Sequence, residues 1–204
     1  MLTLHLEKRT LMANESEYTP TVTAHEPSRQ KTILRPAFWT GILLGIGIAA
    51  FLDETLLHQL LQWHTFYWNT DQHGRTLSDG LFHAFSTLLL LWGAFRLWRS
   101  RDSWSLPVRN AIVAAILIGV GSFNLYDGVI QHAILHLHIV NELVCSSPAS
   151  RQDTFLGICR NDLPYEAVFD GLALVILSIG IVWWRRVSNA TLHTNQSTST
   201  DDLV

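Results

Sequence analysis

GIGIAAFLDETLLHQLLQWH at 45–64 returns as GVGSFNLYDGVIQHAILHLH at 119–138, and the reading of that pair decides the fold. Gly45, Gly47, Asp53, His58 and His64 fall in register with Gly119, Gly121, Asp127, His132 and His138. Both copies begin as an apolar, glycine-containing helix and end in acids and imidazoles. Ionisable groups on apolar helices are costly, so placing them twice at one spacing calls for a chemical reason.

The apolar stretches around the two copies extend the pattern. Four segments, Pro36–Gln62, Ser78–Trp98, Pro107–Leu137 and Pro164–Trp184, carry most of the hydrophobic residues, which make up 48% of the 204-residue chain. Each is long enough to cross a hydrocarbon layer about 30 Å thick, which takes roughly 20 helical residues. A soluble four-helix bundle would show a charged face on every helix, whereas Ala84 to Ala94 holds no charge. The expected fold is an all-α membrane protein of four transmembrane helices.

The repeat also includes the second helix of each pair. Asp79-x3-His83 aligns with Glu166-x3-Asp170, and Gly93 matches Gly180. The sequence therefore predicts two tandem helical hairpins, residues 36–99 and 107–186, in a domain spanning 36–186. The copies share one orientation, related by a pseudo-two-fold axis along the membrane normal. Residues 1–35 and 187–204, polar and Ser/Thr-rich, are expected to be disordered tails. The first 35 residues hold no apolar run of the signal-peptide kind.

Orientation follows from the basic residues. Arg29, Lys31, Arg35, Arg96, Arg99, Arg101, Arg109, Arg185 and Arg186 flank one side, and only Arg75, Arg151 and Arg160 the other. Positive charge marks the cytoplasmic face, so both termini are expected in the cytoplasm, with the chain integral to a bacterial inner membrane. Cys145 and Cys159 then share the second outer loop, where an oxidising compartment favours a disulfide. With net charge -3 and basic residues confined to the flanks, nucleic-acid binding is not expected.

The acids and imidazoles of the spans gather in their outer half. His58, His83, His132 and Asp170 are expected in one layer as ligands for a transition metal (Zn, Fe, Mn or Cu), with Asp53 and Asp127 below and His64 and His138 above. His64, His136 and His138 would also serve as an entry relay for the ion. Asp79 or Glu166 would transfer protons in a catalytic site or ligate a second metal. Ideal helical phase conflicts with part of this, because Asp53 and His64 fall about 140° from His58 at about 100° per residue. Either the interior is wide at that level or the aspartates meet a neighbouring helix, or a second subunit of a homo-oligomer.

Two other classes fit the composition. His58 and His132 at one depth could be the axial ligands of a b-type haem, although so many carboxylates argue against an apolar haem pocket. A charge pathway across the bilayer is disfavoured by the apolar inner half of every span. A chemical role would be metal-dependent redox or hydrolytic chemistry on a small lipid-soluble or periplasmic substrate; a non-enzymatic role would be metal handling.

The strings Phe51-Leu52-Asp53, Leu57-His58-Gln59-Leu60-Leu61-Gln62-Trp63-His64, Asp79-Gly80-Leu81-Phe82-His83, Asp127-Gly128 with Gln131-His132, and Phe169-Asp170-Gly171 carry a resemblance. The chain resembles, over roughly residues 36–186, a prokaryotic family of small predicted membrane proteins of unknown function. The resemblance implies a four-helix inner-membrane protein and no particular activity. Glu54 departs from the usual pattern of that family, in which a glycine often follows the aspartate.

Overall fold

The computed structural model describes residues 28–201 other than Trp104, with side-chain placements for 34–190 apart from 103, 104 and 150. The expected tail 1–35 lies mostly outside the described residues. Four long helices dominate: α1 (Ser28–Asp53), α2 (Gln72–Arg99), α3 (Leu106–Tyr126) and α5 (Leu163–Asp201). The helix α4 (Pro148–Gln152) and a two-stranded hairpin, β1 (Thr154–Phe155) and β2 (Ile158–Cys159), belong to the long loop before α5. α1 and α3 are each prolonged by a π-helical segment, Glu54–Leu60 and Asp127–Ile134. With those extensions, four stretches are long and apolar enough to cross a membrane: Leu34–Leu60, Gln72–Arg99, Leu106–Ile134 and Leu163–Ala190. The last helix runs to Asp201, past residue 187, where the polar composition predicts an unstructured end.

α1 and α3 pack together at the centre, with α2 chiefly against α1 and α5 chiefly against α3. Small residues make the central contact possible. A Cβ at Gly45 would lie 3.0 Å from the Gly119 Cα, and one at Gly119 would lie 3.1 Å from the Gly45 Cα. Ala115 packs onto Gly41 in the same seam, and Ala49, Ala50, Ala111 and Ala114 are buried as well. Lipid offers no hydrophobic drive between helices, so close backbone packing must supply the attraction, and only small side chains allow it. The flanking contacts repeat at matched positions: Gly47 meets Leu90 and Gly93 meets Leu44, while Gly121 meets Leu177 and Gly180 meets Ile118. α2 and α5 expose Leu81, Leu88, Leu91 and Trp92, and Val168, Leu172, Val175 and Ile179, as helices bathed in acyl chains do.

Beyond the π segments the chain turns sharply. Gln62 (φ 52°) and His136 (φ 50°), at matched positions, are both left-handed. The turns are closed by wide backbone bonds at matched places: Leu61 N donates to Leu56 O and Trp63 N to Leu57 O, as Leu135 N does to Ile130 O and Leu137 N to Gln131 O. The two loops that follow then hold each other. Glu142 N donates to Trp63 O (2.6 Å) and Trp68 N to Leu137 O (3.1 Å). Glu142 also accepts from Thr65 N and from Arg75, whose other terminal nitrogen donates to Trp68 O.

Cys145 and Cys159 are bonded. The disulfide sits in a small core with Ile139 and Ile158, against which Trp68 packs. Leu156 and Gly157, both at positive φ, turn the hairpin between the strands, as the favoured two-residue hairpin turn requires.

Candidate metal centre

The π winding resolves the conflict of helical phase. In an α-helix, residues five apart point in different directions; in a π segment, with its i to i+5 hydrogen bonds, they lie one above the other. Asp53 and His58 are five apart, and so are Asp127 and His132. Their side chains meet, with Asp53 Oδ2 3.3 Å from His58 Nε2 and Asp127 Oδ2 3.3 Å from His132 Nε2. The left-handed turns at Gln62 and His136 then bring the chain back over the helix ends. They lower His64 and His138 onto the same aspartates, with Nε2 to Oδ1 distances of 4.0 and 3.5 Å.

Two triads result, Asp53–His58–His64 and Asp127–His132–His138, each with one ligand atom per residue within 4.8 Å of the others. All six side chains are buried, none more than 7% exposed. The triads adjoin: the His64 and His138 rings stack with centroids 4.8 Å apart, and His58–His138 and His64–His132 are separated by 6.1 and 6.2 Å.

Every imidazole is held by its Nδ1. His64 Nδ1 lies 2.8 Å from Val140 O and His138 Nδ1 3.0 Å from Phe66 O. A carbonyl only accepts, so both Nδ1 atoms carry the proton and both Nε2 atoms present a lone pair. Burial, and then the neighbouring His138 and His58, hold the His64 imidazole well below the usual histidine range, which keeps it neutral. His58 Nδ1 stands 3.2 Å from Asp79 Oδ1 and His132 Nδ1 2.9 Å from Glu166 Oε2. Those carboxylates are themselves fixed by backbone, Asp79 by Phe66 N (2.7 Å) and Glu166 by Val140 N (3.3 Å). Asp79 and Glu166, expected to move protons or to ligate a second metal, sit beside the Nδ1 atoms of His58 and His132, the arrangement in which an outer carboxylate fixes a ligand's tautomer.

The inward atoms are left over. Among the described residues, Nε2 of His58, His64, His132 and His138, both Asp53 oxygens and Asp127 Oδ2 are buried without a hydrogen-bond partner. The 3.3 Å Nε2–Oδ2 pairs are close but misaligned for a hydrogen bond. Misalignment at short range is what atoms converging on a common centre show. Donors about 2.0–2.1 Å from an ion stand about 3.3 Å apart in tetrahedral geometry, so the triad spacings fit a transition metal.

The remaining residues of the expected ligand set divide. His83 and Asp170, expected beside His58 and His132, take no part in either triad, whose third members are the loop imidazoles His64 and His138. His83 is half-buried, with Nδ1 3.3 Å from Gln59 Nε2, and Gln59 in turn donates to Glu54 Oε1 at 3.1 Å. Glu54 is fully buried with Oε2 3.2 Å from His58 Nδ1, forming a third group with His58 and Asp79. At the matched place in the second copy stands Gly128, and the space is taken by the Asp170 carboxylate, whose carbon lies 2.9 Å from where a Gly128 Cβ would be and whose Oδ1 lies nearer still. The acid comes from the first helix of one hairpin and from the second helix of the other. His136 donates from Nδ1 to His132 O and packs against Gly157, away from the cluster.

Several residues at the site escape a reading of the sequence. Phe66 and Val140 act through backbone, and Asp162, which accepts from Val140 N and Asn141 N, supports the cap over the cluster. Burial, with the charge of Glu166 next, pushes the Asp162 carboxyl up to about 7.

Four spanning helices around a buried cluster of imidazoles and carboxylates define a polytopic membrane protein with groups able to hold a metal ion. Over residues 40–187 the chain matches the family described as predicted membrane protein (DUF2243), and it belongs to that family. No curated protein and no solved structure matches it.

Proposed function

We propose that this is an integral membrane metalloprotein whose centre is built from Asp53, His58, His64, Asp127, His132 and His138, close beneath the external face of the bacterial inner membrane. Both termini are cytoplasmic in this reading, as the basic flanks require, and two tandem hairpins related by a pseudo-two-fold axis supply matching halves of the site. The observation that carries the reading is the set of four partnerless Nε2 atoms, each on a ring whose Nδ1 is already committed. A hydrogen-bonded polar cluster would leave few such atoms, since buried polar groups otherwise find partners.

Bare transition-metal ions suit the site better than haem. The His64 and His138 rings stand 4.3 to 6.2 Å, centroid to centroid, from the His58 and His132 rings and among carboxylates, which leaves no flat apolar slot for a macrocycle between those two axial candidates. Each triad offers three protein donors, so an ion there keeps positions for an exogenous ligand, the property that separates catalytic from closed structural sites. The chemistry proposed is activation of water or dioxygen toward a small lipid-soluble or periplasmic substrate. Elemental analysis with a visible spectrum on detergent-purified protein tests it, wild type beside His58→Ala and His132→Ala. Bound first-row metal that falls in both variants is expected; a Soret band, or no metal in any preparation, refutes the reading.

A further inference from the structure

We infer that the cluster is a dinuclear centre: each triad of two histidines and one aspartate closes on its own divalent transition ion, so that one chain binds a neighbouring pair. The inference rests on the metal reading above and adds the number and arrangement of ions.

The distances separate the donors into two sets with no residue in common. Atoms within Asp53–His58–His64 and within Asp127–His132–His138 lie within 4.8 Å of one another, and no metal-sized group among the described residues mixes the two. What passes between the triads is ring stacking, His64 on His138, with their planes 29° apart. Stacked rings cannot aim both Nε2 lone pairs at one ion placed between their faces; each points along its own plane, toward its own aspartate. The outer anchors are likewise separate. His58 is fixed by Asp79 and His64 by Val140 O, whereas His132 is fixed by Glu166 and His138 by Phe66 O.

Charge leads to the same count. Asp53, Asp127, Glu54, Asp79, Glu166 and Asp170 set six carboxylates about four imidazoles. One divalent ion leaves most of that negative charge uncompensated beneath an apolar shell, at a high cost in solvation. Two ions compensate twice as much, and with three protein donors apiece each keeps open positions. A two-histidine, one-carboxylate donor set with open positions suits iron(II) or manganese(II). An adjacent pair of ions would clamp one small ligand, such as water or dioxygen, between them.

Manganese(II) and iron(II), each added anaerobically to chelator-stripped protein in detergent, provide the probes. Equilibrium dialysis with elemental analysis is expected to give two ions per chain, and the manganese form to give the paramagnetic resonance spectrum of a spin-coupled pair. His64→Ala and His138→Ala are each expected to retain one ion, with the coupled spectrum replaced by that of an isolated ion. One ion per wild-type chain overturns the pair and leaves the metalloprotein reading standing; none overturns both. Loss of both ions from either variant, with wild-type elution and circular dichroism, also overturns separate centres. If the variants do not fold, stoichiometry and coupling in the wild type decide.

Discussion

Removing the metal should destabilise the protein by an amount that follows from its unpaired atoms. Seven cluster atoms are buried without partners: both Asp53 oxygens, Asp127 Oδ2, and Nε2 of His58, His64, His132 and His138. At about 1–3 kcal/mol each, an unrelaxed bare cluster would cost roughly 7–20 kcal/mol. Relaxation recovers part of this. Protonating His58 and His132 and turning the rings slightly converts the two 3.3 Å contacts into hydrogen bonds, which satisfies four of the seven atoms. Asp53 Oδ1 and Nε2 of His64 and His138 remain, worth about 3–9 kcal/mol together. At roughly 2–4 °C per kcal/mol for a chain of this size, chelation should lower the thermal midpoint by at least about 6 °C. Tryptophan fluorescence reads the transition, since Trp63 and Trp68 belong to the cap over the site. Refilling the protein with the ion removed should restore the midpoint. An unchanged midpoint after elemental analysis shows the metal gone would refute the reasoning. So would an equal fall in a variant with all four histidines replaced by alanine.

Other perturbations follow from the same geometry. Gly45→Ala would press a methyl group onto the Gly119 Cα and the backbone of Ile116, and should cost about 1–3 kcal/mol in thermal or denaturant unfolding. Gly80→Ala, with nothing within 4 Å, should be neutral or slightly stabilising and serves as its control. Cys145→Ser with Cys159→Ser removes a crosslink over a sequence separation of 14 and should cost about 3 kcal/mol, read as a lower unfolding midpoint under non-reducing conditions. Asp162, raised from 3.8 to about 7 by burial and then by the charge of Glu166, holds its proton in the folded state where the unfolded chain has lost it. Its contribution is therefore full below about pH 4 and is lost as pH rises through about 7. Asp162→Asn should flatten that stretch of the stability–pH profile, and an unaltered slope would refute the assignment.

How much of this was legible in the chain depends on the kind of interaction. Span number and extent depend on hydropathy summed over long windows, which is additive along a sequence, and TM boundaries such as Leu106–Ile134 lie close to those expected from composition. The pairing of Cys145 with Cys159 needed only two cysteines in one loop between the spans. The acids and imidazoles of the candidate site were legible as a population, but which of them meet was not. Rise per residue placed His83 and Asp170 in the layer of His58 and His132 with His64 and His138 above it, and an ideal α-helix extended through residue 64 turns His64 away from His58. Helical winding is cooperative with what a segment packs against, and nothing in Glu54–Leu60 or Asp127–Ile134 announces a π turn; nor does a glutamine or a histidine announce a left-handed backbone at 62 and 136.

The order of residues alone determined that the chain spans a membrane four times, that acids and imidazoles recur at one spacing, and that they lie toward one end of the spans, because each of these is a property of local composition. Tertiary structure decided which of them meet. Residues five apart share a face only after the π winding, and His64 and His138 face their aspartates only when each loop lends the other a carbonyl, Val140 O and Phe66 O. Those contacts join positions more than 70 residues apart, whose energies exist only once both hairpins have packed, and no local reading contains them.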